Sequence, residues 1–402
     1  MADRGVIWRY YAFRATNSAG FYLPVAIVFL QAKFDLAFVG LAYAVFSFGM
    51  VAAEVPTGYV GDWLGRRGSL AVGVVLRVGV LAAYPFLETQ AAFLALHVAW
   101  AAGWAFRSGT LDAWLYELLA DCCDEDEFAR VDGRGSTVVL ATSAVAAVLG
   151  ALLYLVDPAL PFLVNAALQL LGLPILYTFP AVATEMSDEE VFTVREALAM
   201  LRVQAGRPAI RWVVAYLGLF AALFSVTRTF EQPMLQSVGV PVVGLGVVYA
   251  AFKLVSAAVA STAGWFEERL GARGVFRLLV PVYGLAFAAV AVFPVLVVPA
   301  LFLNRSLSTV TRPIRNQYLN DRLDDVGRAT VLSGVSMVLS VGSGTAKLAA
   351  GPVAQSMGAV DFLPWAGGLT AVVAAVLWLA TSPVRAGGTA PASPGDAPTP
   401  SD

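Results

Sequence analysis

The sequence predicts an all-α membrane protein, with twelve transmembrane helices in two pseudo-symmetric six-helix bundles. Three observations predict it. Hydrophobic residues make up 59% of the 402 residues and charged residues only 13%, with a mean hydropathy of +0.74, far from the averages of a water-soluble domain. The apolar residues fall into twelve runs, each close to the roughly 20 residues that cross the hydrocarbon core. A ten-residue segment between the second and third runs also returns between the second and third runs of the other half, so the chain reads as an internal duplication.

The runs are 9–30, 38–60, 68–87, 91–117, 136–156, 161–179, 210–235, 241–265, 275–294, 297–320, 329–350 and 361–381, numbered spans 1 to 12. Within lipid each backbone polar group must be satisfied inside its own span, so these are helices and not open strands. Pro24, Pro56, Pro174, Pro281 and Pro313 are expected to kink or end their helices. The first run carries Arg14 and Asn17 and lacks a small-residue cleavage site, which makes it a retained helix and not a signal peptide.

Residues 1–180 then form the N-terminal bundle and 210–382 the C-terminal bundle. Between them, 181–209 reads as a cytoplasmic amphipathic linker. Acidic residues from Glu185 to Glu190 open it, and Val191, Val194, Leu198, Leu201 and Val203 make one apolar stripe. Residues 383–402, rich in Pro, Ala, Gly, Ser and Thr, cannot bury enough apolar surface to order and read as a disordered tail.

Cations set the orientation. With the N-terminus inside, the outer loops hold Lys33 and essentially no other Lys or Arg. The inner segments hold Arg66, Arg67, Arg130, Arg134, Arg195, Arg202, Arg207, Arg211, Arg269, Arg273, Arg277, Arg322 and Arg328. That bias places both termini in the cytoplasm of a cell whose plasma membrane the chain spans several times. Cys122 and Cys123 are adjacent in a charged inner segment and read as ordinary thiols, with neither a disulfide framework nor a four-ligand metal site available.

The repeated segment is Gly58-Tyr-Val-Gly-Asp62-Trp-Leu-Gly65-Arg66-Arg67, echoed from Gly264 as Gly-Trp-Phe-Glu-Glu268-Arg269-Leu-Gly271-Ala-Arg273. Both place an acid four residues after a Gly, then a turn-forming Gly and a cation, as a short hairpin leaving and re-entering a bilayer requires. The segment resembles the loop signature of the major facilitator superfamily, with Trp63 where a cation is usual. That resemblance implies alternating access between two halves around a central path lined by spans 1, 4, 7 and 10. It also implies a gating role for Asp62, with Arg66 and Arg67 sealing the cytoplasmic side. The residues alone leave a second reading open, since an acid at a helix end and two cations at the lipid surface would stabilise any hairpin.

Ionisable residues at membrane depth are costly and tend to face a cavity. They concentrate in spans 1, 4, 7 and 10, and spans 3, 6, 9 and 12 have almost none apart from Arg77, Asn165 and Gln169. The expected cavity residues are Arg14, Asn17, Arg107, Asp112, Arg228, Glu231, Arg305, Thr309 and Arg312. Arg305, Thr309 and Arg312 recur at helical spacing on one face, either as a cationic strip for an anionic group or as structural partners of Asp112, Glu231 and backbone carbonyls. Arg228 and Glu231, at i and i+3, are expected to pair. Asp112, Glu231 and Glu54 are the candidates for carrying a proton, and Glu54 alternatively pairs with Arg77. His97, the one histidine, is a pH sensor or a plain polar contact.

No phosphate-cradling loop, metal-ligand spacing or nucleophile–base pair occurs, so no cofactor, metal or enzymatic role is expected. Span 5 lacks the Gly-rich, Gly-Pro pattern of drug antiporters, and span 4 has Arg107-Ser108-Gly109 where that branch carries Arg-x-x-Gln-Gly. The reading is therefore a monomeric secondary active transporter for a small organic solute, anionic or zwitterionic, with protons as the candidate coupling ion and lipids as its surroundings. No nucleic-acid partner is expected. Export of amphiphiles, or a non-transporting sensor or scaffold on the same fold, are the rivals.

Overall fold

The computed structural model describes residues 4–123, 125–180, 208–321 and 328–384, and among them the chain is helical with short 3-10 turns and no strand. The linker and tail expected over 181–209 and 383–402 lie almost wholly outside the described residues.

Among the described residues, ten helices are by themselves long and apolar enough to cross a membrane. They correspond to spans 2, 3 and 5 to 12, and the two remaining spans are present but interrupted. Span 1, expected as one helix over 9–30, is Arg4–Thr16 followed by turns and then Ala26–Gln31. Its polar side chains turn back on the backbone, as Asn17 Nδ2 donates to Phe13 O at 2.8 Å and Gly20 N donates to Ser18 Oγ at 3.2 Å. Pro24 contributes no N–H. The groups freed by the break are satisfied by protein, as lipid depth demands. Asn165 donates to Ser18 O at 3.1 Å, and the Gln232 amide serves Ile27 N, Val28 N and Leu23 O at 3.0, 3.2 and 2.7 Å.

Span 4, expected over 91–117, is Gln90–Ala105 and Thr110–Cys122, separated at Arg107-Ser108-Gly109 with Gly109 at φ +74°. The left-handed conformation suits a residue without Cβ.

Spans 2 and 3 run within Leu36–Ala83, with Gly65 the non-helical point at φ 71°, ψ 166°. In the second half Ala263–Val292 contains Gly271 at φ 62°, ψ 166°. Such angles are essentially restricted to glycine. The repeated sequence is thus a repeated backbone turn. Spans 5 to 8 are Phe128–Val156, Leu160–Leu170 with Gly172–Tyr177, Pro208–Ser237 and Val242–Ala260. Spans 10 to 12 are Val297–Asn320, Arg328–Met357 and Phe362–Thr381.

Alternate passes put the first residue of span 1, both glycine hairpins and the end of span 12 on one side, the hairpin face. On the opposite face the two halves meet closely. A Cβ on Gly40 of span 2 would lie 2.7 Å from Lys347 O of span 11, and one on Gly246 of span 8 would lie 2.5 Å from Ala147 O of span 5. Leu36 N, at the start of span 2, donates to Gln355 Oε1 of span 11 at 2.8 Å. Side-chain amides of the second half therefore cap helix ends of the first.

Candidate functional site

A deep chamber of about 500 Å³ lies between the halves, walled by spans 1, 2, 4 and 5 on one side and 7, 8, 10 and 11 on the other. A vestibule of about 690 Å³ continues from it and shares Phe46, Met50, Ser225, Arg228, Arg305 and Lys347 as lining. The vestibule is bordered by Leu217, Phe276, Arg315 and Ser336, all towards the hairpin-face ends of their helices. The cavity thus opens towards the hairpin face and is closed opposite. Spans 1, 4, 7 and 10 line it as expected, but spans 2, 5, 8 and 11 contribute as well, and span 9 lines the vestibule.

Glu231 is the chamber's carboxylate and is almost fully buried, at 2% exposure. Arg305 Nη2 lies 2.6 Å from Glu231 Oε1, and the Tyr249 hydroxyl donates to the same oxygen. Gln232 Nε2 reaches the Tyr249 hydroxyl at 3.1 Å, which joins the carboxylate to the amide that caps span 1. The Arg305 guanidinium also lies 4.8 Å over the Phe252 ring.

The expected i, i+3 pair is not formed. Glu231 turns between spans 8 and 10 towards Tyr249 and Arg305, while Arg228 is exposed to the cavity, with no hydrogen-bond or ion-pair partner among the described residues. Lys253 lines the chamber likewise unpartnered, and Lys347 Nζ donates to Ser47 Oγ at 2.9 Å. Five cations, Arg107, Arg228, Lys253, Arg305 and Lys347, therefore line a chamber whose lining includes one carboxylate.

Of the other expected cavity residues, Asn17 and Arg107 line the chamber, and Thr309 and Arg312 the vestibule. Thr309 Oγ1 donates to Arg305 O at 2.9 Å, and the Arg107 guanidinium lies 5.2 Å over Trp104. Arg14 is displaced from the lining by its own partners. Its Nη2 donates to Ser136 Oγ at 2.9 Å and its Nη1 lies 3.7 Å from Asp132, so it ties span 1 to span 5. Asp112 is exposed and outside the lining, because the break at Gly109 starts a new helix before it.

Glu54 is also exposed and outside the lining, where it accepts from Ser333 Oγ of span 11 at 3.3 Å. It does not pair with Arg77, which is buried at 2% exposure and donates to Asn17 Oδ1 at 3.0 Å and Gly73 O at 3.1 Å. His97 is buried in the chamber wall with Nδ1 2.7 Å from Phe93 O, so Nδ1 carries a proton and donates it to that carbonyl. Spacing on span 7 missed Arg228's freedom, and the sequence reading left Lys253 and Lys347 outside the site. A single ammonium within the otherwise apolar runs of spans 8 and 11 was the available signal.

At the first hairpin Arg66 Nε pairs with Glu117 Oε1 at 3.1 Å, and the Arg67 guanidinium lies 4.4 Å over Tyr177. Both contacts stay within the first half. Asp62's side chain lies outside the described residues. At the second, Gly264, Glu268 and Arg273 are exposed, and the Arg269 guanidinium lies 5.2 Å over Trp265.

Two helical repeats around a central cavity that opens to one face are the architecture of a multi-pass membrane transport protein. The sequence profile of the Major Facilitator Superfamily matches residues 11–335, and the chain belongs to that superfamily. An uncharacterized MFS-type transporter of Bacillus subtilis (strain 168), YxaM, is 21% identical over 344 residues, 83% of this chain and 85% of the relative. Two crystal structures of nucleoside transporter NupG, one of a mutant, superpose with TM-scores of 0.81 and 0.74 at 15% identity. They cover 94% of this chain and 99% and 96% of theirs. The structure of a D-xylose-proton symporter has a TM-score of 0.66 at 12% identity over 93% of this chain and 95% of that one. At these identities the structures show a shared fold.

Proposed function

We propose that this protein moves a small organic anion or zwitterion across the plasma membrane by alternating access, with Glu231 as the proton-carrying group. The observation that carries the reading is the charge balance of the chamber. Arg228 and Lys253 have no partner among the described residues, and a cation at membrane depth is costly unless something compensates it. An anionic group on the solute supplies that compensation, and guanidinium and ammonium groups, which donate and never accept, suit carboxylate or phosphate oxygens.

Glu231 supports coupling because Arg305 is its one ion-pair contact among the described residues. Protonating the carboxylate would free Arg305 for the solute, which links the two events through one pairing. With both termini cytoplasmic, as the cation distribution favours, the cavity in this structure is inward-facing. Closure would draw the two hairpins together and bring Asp62, Arg66 and Arg67 towards the second half, in place of the present Arg66–Glu117 pair. The protein works as a monomer in lipid in this reading. The rings in the chamber favour a second reading, export of amphiphiles, although the surplus of cations disfavours cationic drugs.

Proteoliposomes carrying a pH-sensitive dye test these readings, challenged in turn with organic anions, amino acids, sugars and cationic drugs. An anion or zwitterion should move protons in the wild type, and Glu231→Gln should abolish proton movement while solute exchange persists. Asp62→Asn should lower transport with the folded amount unchanged. Proton movement that survives in Glu231→Gln would sink that residue's role, and a response to cationic drugs alone would favour export of amphiphiles.

A further inference from the structure

We propose that the deep chamber selects a planar aromatic anion, its ring against the wall of spans 1, 2 and 4 and its charged group on Arg228, Lys253 and Lys347. The inference rests on the anion-transport reading and narrows it. The two walls differ in chemistry. On the first half, Tyr22, Tyr43, Phe46 and Trp100 face the chamber. They are held by one another and by rings behind them. Tyr22 and Trp100 centroids are 5.5 Å apart, Phe46 meets Trp100 edge-on at 5.9 Å, and the stacked pair Tyr84–Phe162 at 4.7 Å backs the group. Such a wall is preorganised for a ring, which gains offset or edge-to-face contacts beyond the area it buries. Tyr43 and Phe46 are only half-buried, so their ring surface is open to a ligand.

Trp104 is not part of this platform. The Arg77 and Arg107 guanidiniums lie over its ring at 5.3 and 5.2 Å. On the second half Arg228, Lys253 and Lys347 come from three different spans, and the carboxylate in their chamber is already held by Arg305 and Tyr249. None of the three cations can accept a hydrogen bond, so the group placed among them must be an acceptor, and a charged one. A volume of about 500 Å³ suits one drug-sized molecule and excludes a long peptide.

A ligand of this kind touches both halves at once, ring on one and charge on the other. Its binding energy therefore depends on the distance between the two walls, the quantity that alternating access changes. A solute held by one half alone would not have that property.

The test compares three probes on wild-type protein in detergent, read as ligand-dependent thermal stabilisation. Naphthoate carries ring and charge, decalin carboxylate has the same charge on saturated puckered rings, and naphthalenemethanol keeps the ring without charge. Naphthoate should bind about tenfold more tightly than either of the others. Lys253→Gln should lower naphthoate affinity by about tenfold and leave the alcohol unchanged. Tyr43→Leu, at a half-buried site, should bring naphthoate and decalin carboxylate within about twofold of each other.

Equal binding of naphthoate and decalin carboxylate overturns the aromatic selection and leaves organic-anion transport standing. Equal binding of naphthoate and the alcohol, or no stabilisation by naphthoate, overturns the proposal as a whole. If in that case the dye assay responds to sugars or cationic drugs alone, the anion reading falls with it.

Discussion

Glu231 and Arg305 show how a single pairing decides the character of the cavity. Either alone would be a buried charge, and together they leave the rest of the chamber cationic. Removing one partner is costly, because the survivor keeps its desolvation penalty without its Coulomb partner. Arg305→Met should therefore lower stability by about 3–5 kcal/mol, by the general cost of breaking a buried pair. The double variant Arg305→Met with Glu231→Gln should recover most of that, both read as midpoints of thermal unfolding. A double variant no more stable than the single would show that the pair does not act as a unit. Sequence spacing named both residues as cavity groups and offered Glu231 two partners, Arg228 on its own helix and Arg305 across the cavity, of which the structure forms the second. The i, i+3 rule sees neighbours on one helix, and Tyr249 and Arg305 approach from spans 8 and 10. For the same reason Arg77, whose depth matched Glu54, proves to belong to Asn17 of span 1.

The helices were legible wherever their backbone is regular; of the two interruptions, Pro24 marked the one in span 1 and nothing marked the one in span 4. A hydropathy run through spans 1 and 4 continues across Asn17–Val25 and Arg107–Gly109, since the residues on either side are apolar enough to keep the average high. The break depends on what satisfies the freed backbone groups, and those partners are Asn165 and Gln232, 148 and 215 residues beyond Asn17 in the sequence. The hairpins behaved oppositely. A repeated glycine was visible in the sequence, and Gly65 and Gly271 share nearly the same angles, at φ 71° and 62° with ψ 166° in both. Placing a Cβ there costs about 1–3 kcal/mol in a backbone region that side-chain-bearing residues avoid. Gly65→Ala and Gly271→Ala should each lower the thermal midpoint of the purified protein. Gly58→Ala, at a helical position with open space around it, should leave the midpoint nearly unchanged. Equal effects at Gly58 and Gly65 would mean that the turn geometry is not what the glycine is for.

Across the whole protein, the duplication, the twelve passes and the membership of the superfamily were all readable from composition and one repeated motif. Which face is closed was not, because closure is made by contacts between halves that no local pattern encodes. Gly40 against Lys347 O, Gly246 against Ala147 O, and the two capping amides Gln232 and Gln355 supply it. Gln232→Leu keeps approximate volume and removes the amide, so it should shift the population towards opening on that face. In a Cys122→Ser, Cys123→Ser background, a Val28→Cys probe should then react with an impermeant maleimide roughly tenfold faster, as the loss of such bonds implies. An unchanged rate would show that the amide does not hold the face shut. Gln232 has one further consequence. The N–H groups of Ile27 and Val28 and the carbonyl of Leu23 need partners in every state of the cycle, and once the halves separate the available partner is water. Opening is therefore an exchange of one amide for several solvent molecules, nearly neutral in hydrogen bonds but uptaking water. The balance between the two orientations therefore responds to the activity of water at that face, and solutes excluded from the cleft favour the closed arrangement without binding anywhere.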